Sequence, residues 1–195
     1  MKPLLPADIL PNAEFVAHRP RLERELLQVK EARRVAVGPS FTLLFENRAT
    51  VRWQIQEMCR VEKITDPAAI QHELDTYNGL LPRTDELSAT LLVEYDEPSE
   101  RARMLTALRG LHDHLRLEVD GSAVRTQFDA DQYNTDRISS VQFIRFALTS
   151  EQADAFCDLR RSAAIVVDHP ACAARTELKG AVRGALVEDL LETRG

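Results

Sequence analysis

The stretch from His114 to Phe128 limits the fold more than any other. Leu115, Leu117 and Val119 alternate with His114, Arg116 and Glu118, Asp120-Gly121 follows, and Val124 to Phe128 returns. A period of two places alternate side chains on opposite faces of a strand. Asp-Gly suits the two positive-φ positions of a tight hairpin turn. An antiparallel hairpin is thus written into the chain. Further strands are predicted at Val35–Val37 and Phe41–Phe45 around Gly38-Pro39, along Ala89, Leu91, Val93 and Tyr95, at Val141–Leu148, and at Ala163–Val167. Val141–Leu148 is apolar on both pleat faces, as a covered strand is. These strands cluster instead of alternating one by one with helices. The expected fold is therefore α+β, with a largely antiparallel sheet and packed helices. A chain of 195 residues, 44% hydrophobic, suits one core. It reads as a single domain over 1–195, with a helix-rich half at about 1–87 and a strand-rich half at about 88–195.

Helical periodicity marks the rest. Residues from about Pro20 to Arg33 set Leu22, Leu26, Leu27 and Val29 among charges, with Pro20 suited to a first helical turn. Arg48–Ile64 is helical despite a local period of two at Val51, Trp53 and Ile55, because the longer pattern runs on through Met58. Asp66-Pro67 is a cap followed by a first-turn proline, and Ile70, Leu74 and Tyr77 form the inner stripe that follows. Asn78-Gly79 can end that helix. Ser99–Arg109, Thr149–Leu159 and a last segment carrying Leu178, Val182, Leu186 and Leu190 are also helical. Asp129–Arg137 is polar and reads as a loop.

The formal charge is −6, and Arg33–Arg34 and Arg160–Arg161 are isolated basic pairs. Nucleic-acid binding calls for a clustered basic face, so no nucleic-acid partner is expected. No apolar run approaches the roughly 18–20 residues of a membrane span, and the first residues lack the apolar core of a signal peptide. Cys59, Cys157 and Cys172 are odd in number and far apart. Reduced thiols in a cytoplasm fit that pattern, without a structural disulfide or zinc.

Val51, Ile55, Met58 and Glu62 follow i, i+4, i+7, i+11, which puts a carboxylate on an apolar stripe. A buried carboxylate needs a partner, and Arg34, Arg48 or Arg52 could supply it. Glu73 flanks the next helix's stripe, so an antiparallel helix pair would bring carboxylates together, able to share a proton or bind a cation. Asp168-His169-Pro170 ends an apolar strand, where polar side chains either line a pocket or close a turn. His112-Asp113-His114 with Glu118 is H-x-H-x3-E, similar to the first metal motif of cupins. Its glycine pattern fails, and no second motif follows. H-E-x-x-H, E-x-x-H, G-x-G-x-x-G, the phosphate-loop signature and G-x-S-x-G are all absent, so no motif names a cofactor.

VAVGP at Val35–Pro39, Q-x-Q-E-M-x-R-x-E at Gln54–Glu62, E-L-x-x-Y-N-x-L-x-P at Glu73–Pro82 and V-D-H-P at Val167–Pro170 together resemble an uncharacterised bacterial family, the domain of unknown function 3501. The resemblance covers nearly the whole chain. It implies genes that often neighbour rubrerythrin and an iron–sulfur oxidoreductase, and through them a link to peroxide or oxygen defence. It assigns no activity and no catalytic residue.

Three readings follow. The first is a non-enzymatic accessory or small-ligand-binding protein of redox or oxidative-stress metabolism. The second is a metal protein or enzyme using Glu57, Glu62, Glu73 and His169. The third is a structural partner subunit. The expected ligand-binding residues are Glu57, Glu62, Glu73, Tyr77, Asn78, Asp168 and His169. A rubrerythrin-like protein or an iron–sulfur oxidoreductase is the partner the resemblance implies, and a second copy of the chain is a further candidate.

Overall fold

Eight antiparallel strands wrap into one nearly closed sheet in the computed structural model, which describes residues 1–129 and 136–195. The strands are β1 (Arg34–Val37), β2 (Phe41–Phe45), β3 (Glu86–Val93), β4 (Leu115–Val119), β5 (Ser122–Phe128), β6 (Val141–Ala147), β7 (Ala163–His169) and β8 (Cys172–Glu177). Their order is β1-β2-β3-β6-β5-β4-β7-β8. The expected α+β class with an antiparallel sheet holds. The two halves of the chain share this sheet, because β2 pairs with β3. Asp120 and Gly121 both take positive φ, 49° and 79°, as the tight β4–β5 turn demands.

The sheet ends meet. Thr176 of β8 donates its Oγ1 hydrogen to the carbonyl of Ala36 in β1 at 2.8 Å. Gly38, with φ +62°, lies so near β8 that a Cβ there would stand 2.9 Å from the Ala174 Cβ. Alternate residues point inward and are buried: Val35, Val37, Leu43, Phe45, Leu91, Leu117, Ile144, Phe146, Ile165 and Val167. On the opposite face, β4, β7 and β8 carry a ladder of charges in which Glu118 bonds both Arg116 and Arg175, and Arg116 bonds Asp168. Long side chains there shield the sheet in place of a helix.

Seven α-helices are found among the described residues: α1 (Asn12–Glu31), α2 (Arg48–Val61), α3 (Pro67–Asn78), α4 (Pro98–Ala107), α5 (Leu111–His114), α6 (Ser150–Cys157) and α7 (Gly180–Glu192). Leu105, Leu108, Leu111, Ala153, Phe156, Leu186 and Leu190 extend the core from α4–α7. A buried ion pair fixes α7 to the start of β1. Arg33 donates to both Asp189 oxygens, Nε at 2.7 Å and Nη2 at 2.9 Å. Asn47 joins them through Nδ2 at 3.2 Å, while its Oδ1 caps α2 at the amides of Ala49 and Thr50.

A second, smaller core lies between α2 and α3, around Val51, Ile55, Cys59, Leu74 and Leu81. Leu4 completes it. The first residues of the chain are fastened over this core by side chains acting on backbone. Asn78 bonds both the amide and carbonyl of Leu4, and Gln56 does the same for Leu10. Arg48 bonds the carbonyls of Lys2 and Pro3 and pairs with Asp8 at 2.8 Å.

Several elements differ from expectation. Pro20 is not in a first turn: α1 begins at Asn12, because Phe15 supplies a buried anchor upstream. Pro20 stands inside the helix. β8 has no counterpart in the sequence reading, which carried no strand at 172–177. The H-x-H pair is not on a strand, since His112 and His114 belong to α5. Leu178 precedes α7 and bonds the Ala163 carbonyl through its amide. The loop expected over Asp129–Arg137 falls largely on 130–135, outside the described residues.

Candidate functional site

α1 and α2 pack side by side, and near the short turn at Pro6–Asp8 they leave a cavity of about 430 Å³. Phe15, Leu22, Leu26 and Val29 recur on one face of α1 and form one wall. Trp53, Ala49, Gln56 and Arg52 of α2 form the other, with Leu10 and Asp8 at the end. The Phe15 and Trp53 rings meet edge to face, centroids 5.3 Å apart, and the Arg19 guanidinium lies 5.5 Å from the Trp53 ring centre. The size and apolar walls are those of a small-molecule site. Its polar groups differ in how far they are engaged. Gln56 is committed to the Leu10 backbone, Asp8 to Arg48, and Glu25 to Arg21 at 2.6 Å. Arg52 is exposed and in no salt bridge among the described residues, though its charge acts on Asp8 at the cavity end.

The carboxylates expected on the helix pair separate in role. Glu57 holds Arg19 at 2.7 Å and Arg60 at 2.7 Å, tying α1 to α2. Burial opposes its charge, but hydrogen bonds from Arg60 and Arg19 prevail and hold its carboxyl below the usual range. Glu62 is exposed, contrary to the expected buried and paired carboxylate. α2 stops at Val61, and Lys63 turns the chain into the left-handed region at φ 56°, so the stripe ends before it reaches Glu62. Its candidate partner Arg48 serves the N-terminal segment instead. Glu73 is half-buried on α3. The α2–α3 turn does bring Glu62 and Glu73 into one neighbourhood. Burial first, then Glu73 and Glu62, push the Cys59 thiol up and act likewise on the Tyr77 phenol, which Gln54 pulls back by a hydrogen bond. Tyr77 also lines a second cleft of about 510 Å³ with Arg83, Gln127 and Arg145. Asn78 binds the chain's own Leu4.

Asp168 and His169 lie on β7, a strand whose partners are β4 and β8, whereas Glu57, Glu62 and Glu73 lie on or at the ends of α2 and α3. Among the described residues, the two groups share no bonding partner. Asp168 faces outward and bonds His114 Nδ1 at 2.9 Å and Arg116, which together hold its carboxyl below the ordinary value of 3.8. His169 faces inward, 6% exposed. Its Nδ1 accepts the Ala171 amide hydrogen at 3.1 Å, which leaves the proton on Nε2 to be donated to the Arg109 carbonyl at 2.9 Å. Both nitrogens are thereby occupied by backbone. This histidine closes the β7–β8 turn and fastens it to the loop before α5. His112 and His114 are two apart on a helix and do not share a face. Among the described residues no three His, Cys, Asp or Glu side chains gather as metal ligands.

The cavity residues Phe15, Arg52 and Trp53 were missed in the sequence. The signal that could have found them is the Phe15–Leu22–Leu26–Val29 stripe, carried back past Pro20 to meet the aromatic residue of the next helix.

No curated protein matches the sequence. A crystal structure of a novel protein of unknown function from Burkholderia pseudomallei K96243 superimposes with a TM-score of 0.90 at 31% identity, covering 97% of this chain and 100% of that one. The family described as "Protein of unknown function (DUF3501)" matches residues 3–190. With the fold and the sequence in agreement over almost the whole length, the chain belongs to the DUF3501 family.

Proposed function

We propose that this protein binds a small amphipathic acid in the α1–α2 cavity, as a non-enzymatic accessory protein. The observation that carries this reading is a largely apolar cavity of small-molecule size with Arg52, a cation in no salt bridge among the described residues, in its wall. An alkyl or aryl body would lie against Phe15, Leu26 and Trp53, and its carboxylate would meet Arg52. The redox setting is part of the proposal and draws its support from the sequence resemblance, with a rubrerythrin-like protein or an iron–sulfur oxidoreductase as partner. Failure of such a partner to co-purify with the tagged chain from its own cells would remove that setting. The metal or enzyme reading has less to stand on, because His169 spends both ring nitrogens on backbone.

Trp53 is the one tryptophan in the chain, so its emission reports on the cavity directly. Titration with decanoate should shift that emission saturably, and decanol should bind through the same walls. Arg52→Gln should weaken decanoate about fivefold, the upper end for an exposed ion pair, and leave decanol unchanged. No saturable change with either probe would refute the reading. Equal decanoate affinity in Arg52→Gln would refute the role of the cation.

A further inference from the structure

The segment before α1 is held mainly by its backbone. Of residues 1–11 only Leu4 is buried, at 2% exposure, in the α2–α3 core beside Val51, Leu74 and Leu81. Helix side chains hold the rest. Asn78 accepts the Leu4 amide hydrogen at 2.8 Å and donates to the Leu4 carbonyl at 3.0 Å. Gln56 accepts the Leu10 amide hydrogen at 2.9 Å and donates to the Leu10 carbonyl at 2.8 Å. A carboxamide carries both an acceptor and donors, so each side chain grips a residue as a neighbouring strand would. Arg48 donates to the Lys2 and Pro3 carbonyls at 3.0 and 2.8 Å and pairs with Asp8 at 2.8 Å. The backbone bonds set the register of an extended peptide. Two of its side chains set the sequence, a leucine in the apolar core and, four residues on, an acid against Arg48.

The segment is also separable from the helix that follows. Pro11, at φ −53° and ψ 142°, stands between them. Asn12 has its own fastening, from Nδ2 to the Cys59 and Ile64 carbonyls, both at 3.0 Å. Pro3, Pro6 and Pro11 restrict the freed segment to few shapes, so it gives up little freedom on rebinding.

We propose that the groove over α2 and α3 is a peptide-binding site that also takes the same segment of a second copy of this chain, so that two copies pair by exchanging residues 2–10. The second copy carries the leucine and the acid at the required spacing, and Arg48 supplies the complementary charge. The contacts made within one chain are remade between two, a low-cost route to a dimer. At low concentration the short tether favours the closed single chain. In the exchanged pair Asp8 and Leu10, which close the end of the α1–α2 cavity, come from the other copy. The inference does not require a ligand in that cavity.

The test reverses the charge on each side of the Asp8–Arg48 pair in the full chain. Asp8→Arg and Arg48→Glu each set like charges together, both within a chain and between identical copies. In a mixture of the two variants, both exchanged contacts become attractive. The mixture should form a one-to-one pair in sedimentation velocity, about tenfold tighter or more than either variant's self-association. A chain carrying both substitutions should behave as the unsubstituted one, and Leu4→Asp in both partners should abolish the pair. A mixture no more associated than its components would overturn the inference, and so would a pair that survives Leu4→Asp. If either charge variant fails to fold by circular dichroism, a labelled peptide of residues 2–11 decides with the unsubstituted chain. It should bind and speed hydrogen exchange at the Leu4 and Leu10 amides as it displaces the segment; no binding up to millimolar peptide would overturn the inference.

Discussion

Replacing Asp189 by alanine should come close to unfolding this protein. Asp189 accepts two hydrogens from Arg33 and one from Asn47, and both ions of the pair are buried, Arg33 at 8% and Asp189 at 4% exposure. Without the carboxylate, the guanidinium keeps one bond, Nη1 to the Val29 carbonyl at 3.1 Å. Stranding one partner of a buried pair costs about 3–5 kcal/mol. A domain has about 5–15 kcal/mol in total. With a urea slope of about 2 kcal/mol per molar, the midpoint should fall by about 1.5–2.5 M at unchanged slope. Arg33→Leu combined with Asp189→Leu removes both charges and should recover most of that loss, because a buried pair gains little over apolar packing. As a control, Arg21→Ala in the exposed pair with Glu25 should move stability by less than about 0.5 kcal/mol. A cost below about 1 kcal/mol for Asp189→Ala would show that water reaches the guanidinium and that the pair is not buried in solution.

Glu62→Ala, beyond the end of α2, should change stability by less than about 0.5 kcal/mol in the same urea assay. His169→Phe keeps the ring but leaves the Ala171 amide and the Arg109 carbonyl unpartnered, and should cost about 1–3 kcal/mol; a neutral result would mean that these groups find other partners. Acid should act through the charged ladder on β4, β7 and β8. Arg175, then Arg116, hold Glu118 below its ordinary 4.5, and His114, then Arg116, hold Asp168 below 3.8. Carboxyls lowered on folding stabilise the protein above their ordinary values and lose that contribution as pH falls through the lowered ones. The melting temperature should thus stay level down to about pH 5 and drop below it, with a smaller drop in Glu118→Gln.

The sheet was largely legible because its evidence is local. Alternation in β4, an Asp-Gly turn and the Asp66-Pro67 cap each act within a few residues. β8 was not legible: Cys172, Ala173, Ala174 and Arg175 have no strand preference, and their conformation is imposed by pairing with β7. Glu62 misled because periodicity describes a helix while it lasts and is silent about where Lys63 ends it. The site was read less well than the fold. Carboxylates drew attention to α2 and α3, yet Glu57 and Asn78 serve the chain's own packing. The cavity depends on two helices meeting, which no single stretch encodes. Arg33 and Asp189 stand 156 positions apart.

Closure of the sheet has a consequence for synthesis. Of the described strands, β1 leaves the ribosome before all the others, and its neighbour across the seam, β8, after them. Until β8 and α7 emerge, β1 has an open edge, Arg33 lacks its counterion, and the interior stays uncapped by Leu186 and Leu190. Such an edge can pair with any strand that reaches it. A nascent chain halted before α7 should therefore be sticky and protease-sensitive, and the emergence of β8 and α7 should turn it abruptly into a compact, resistant fold.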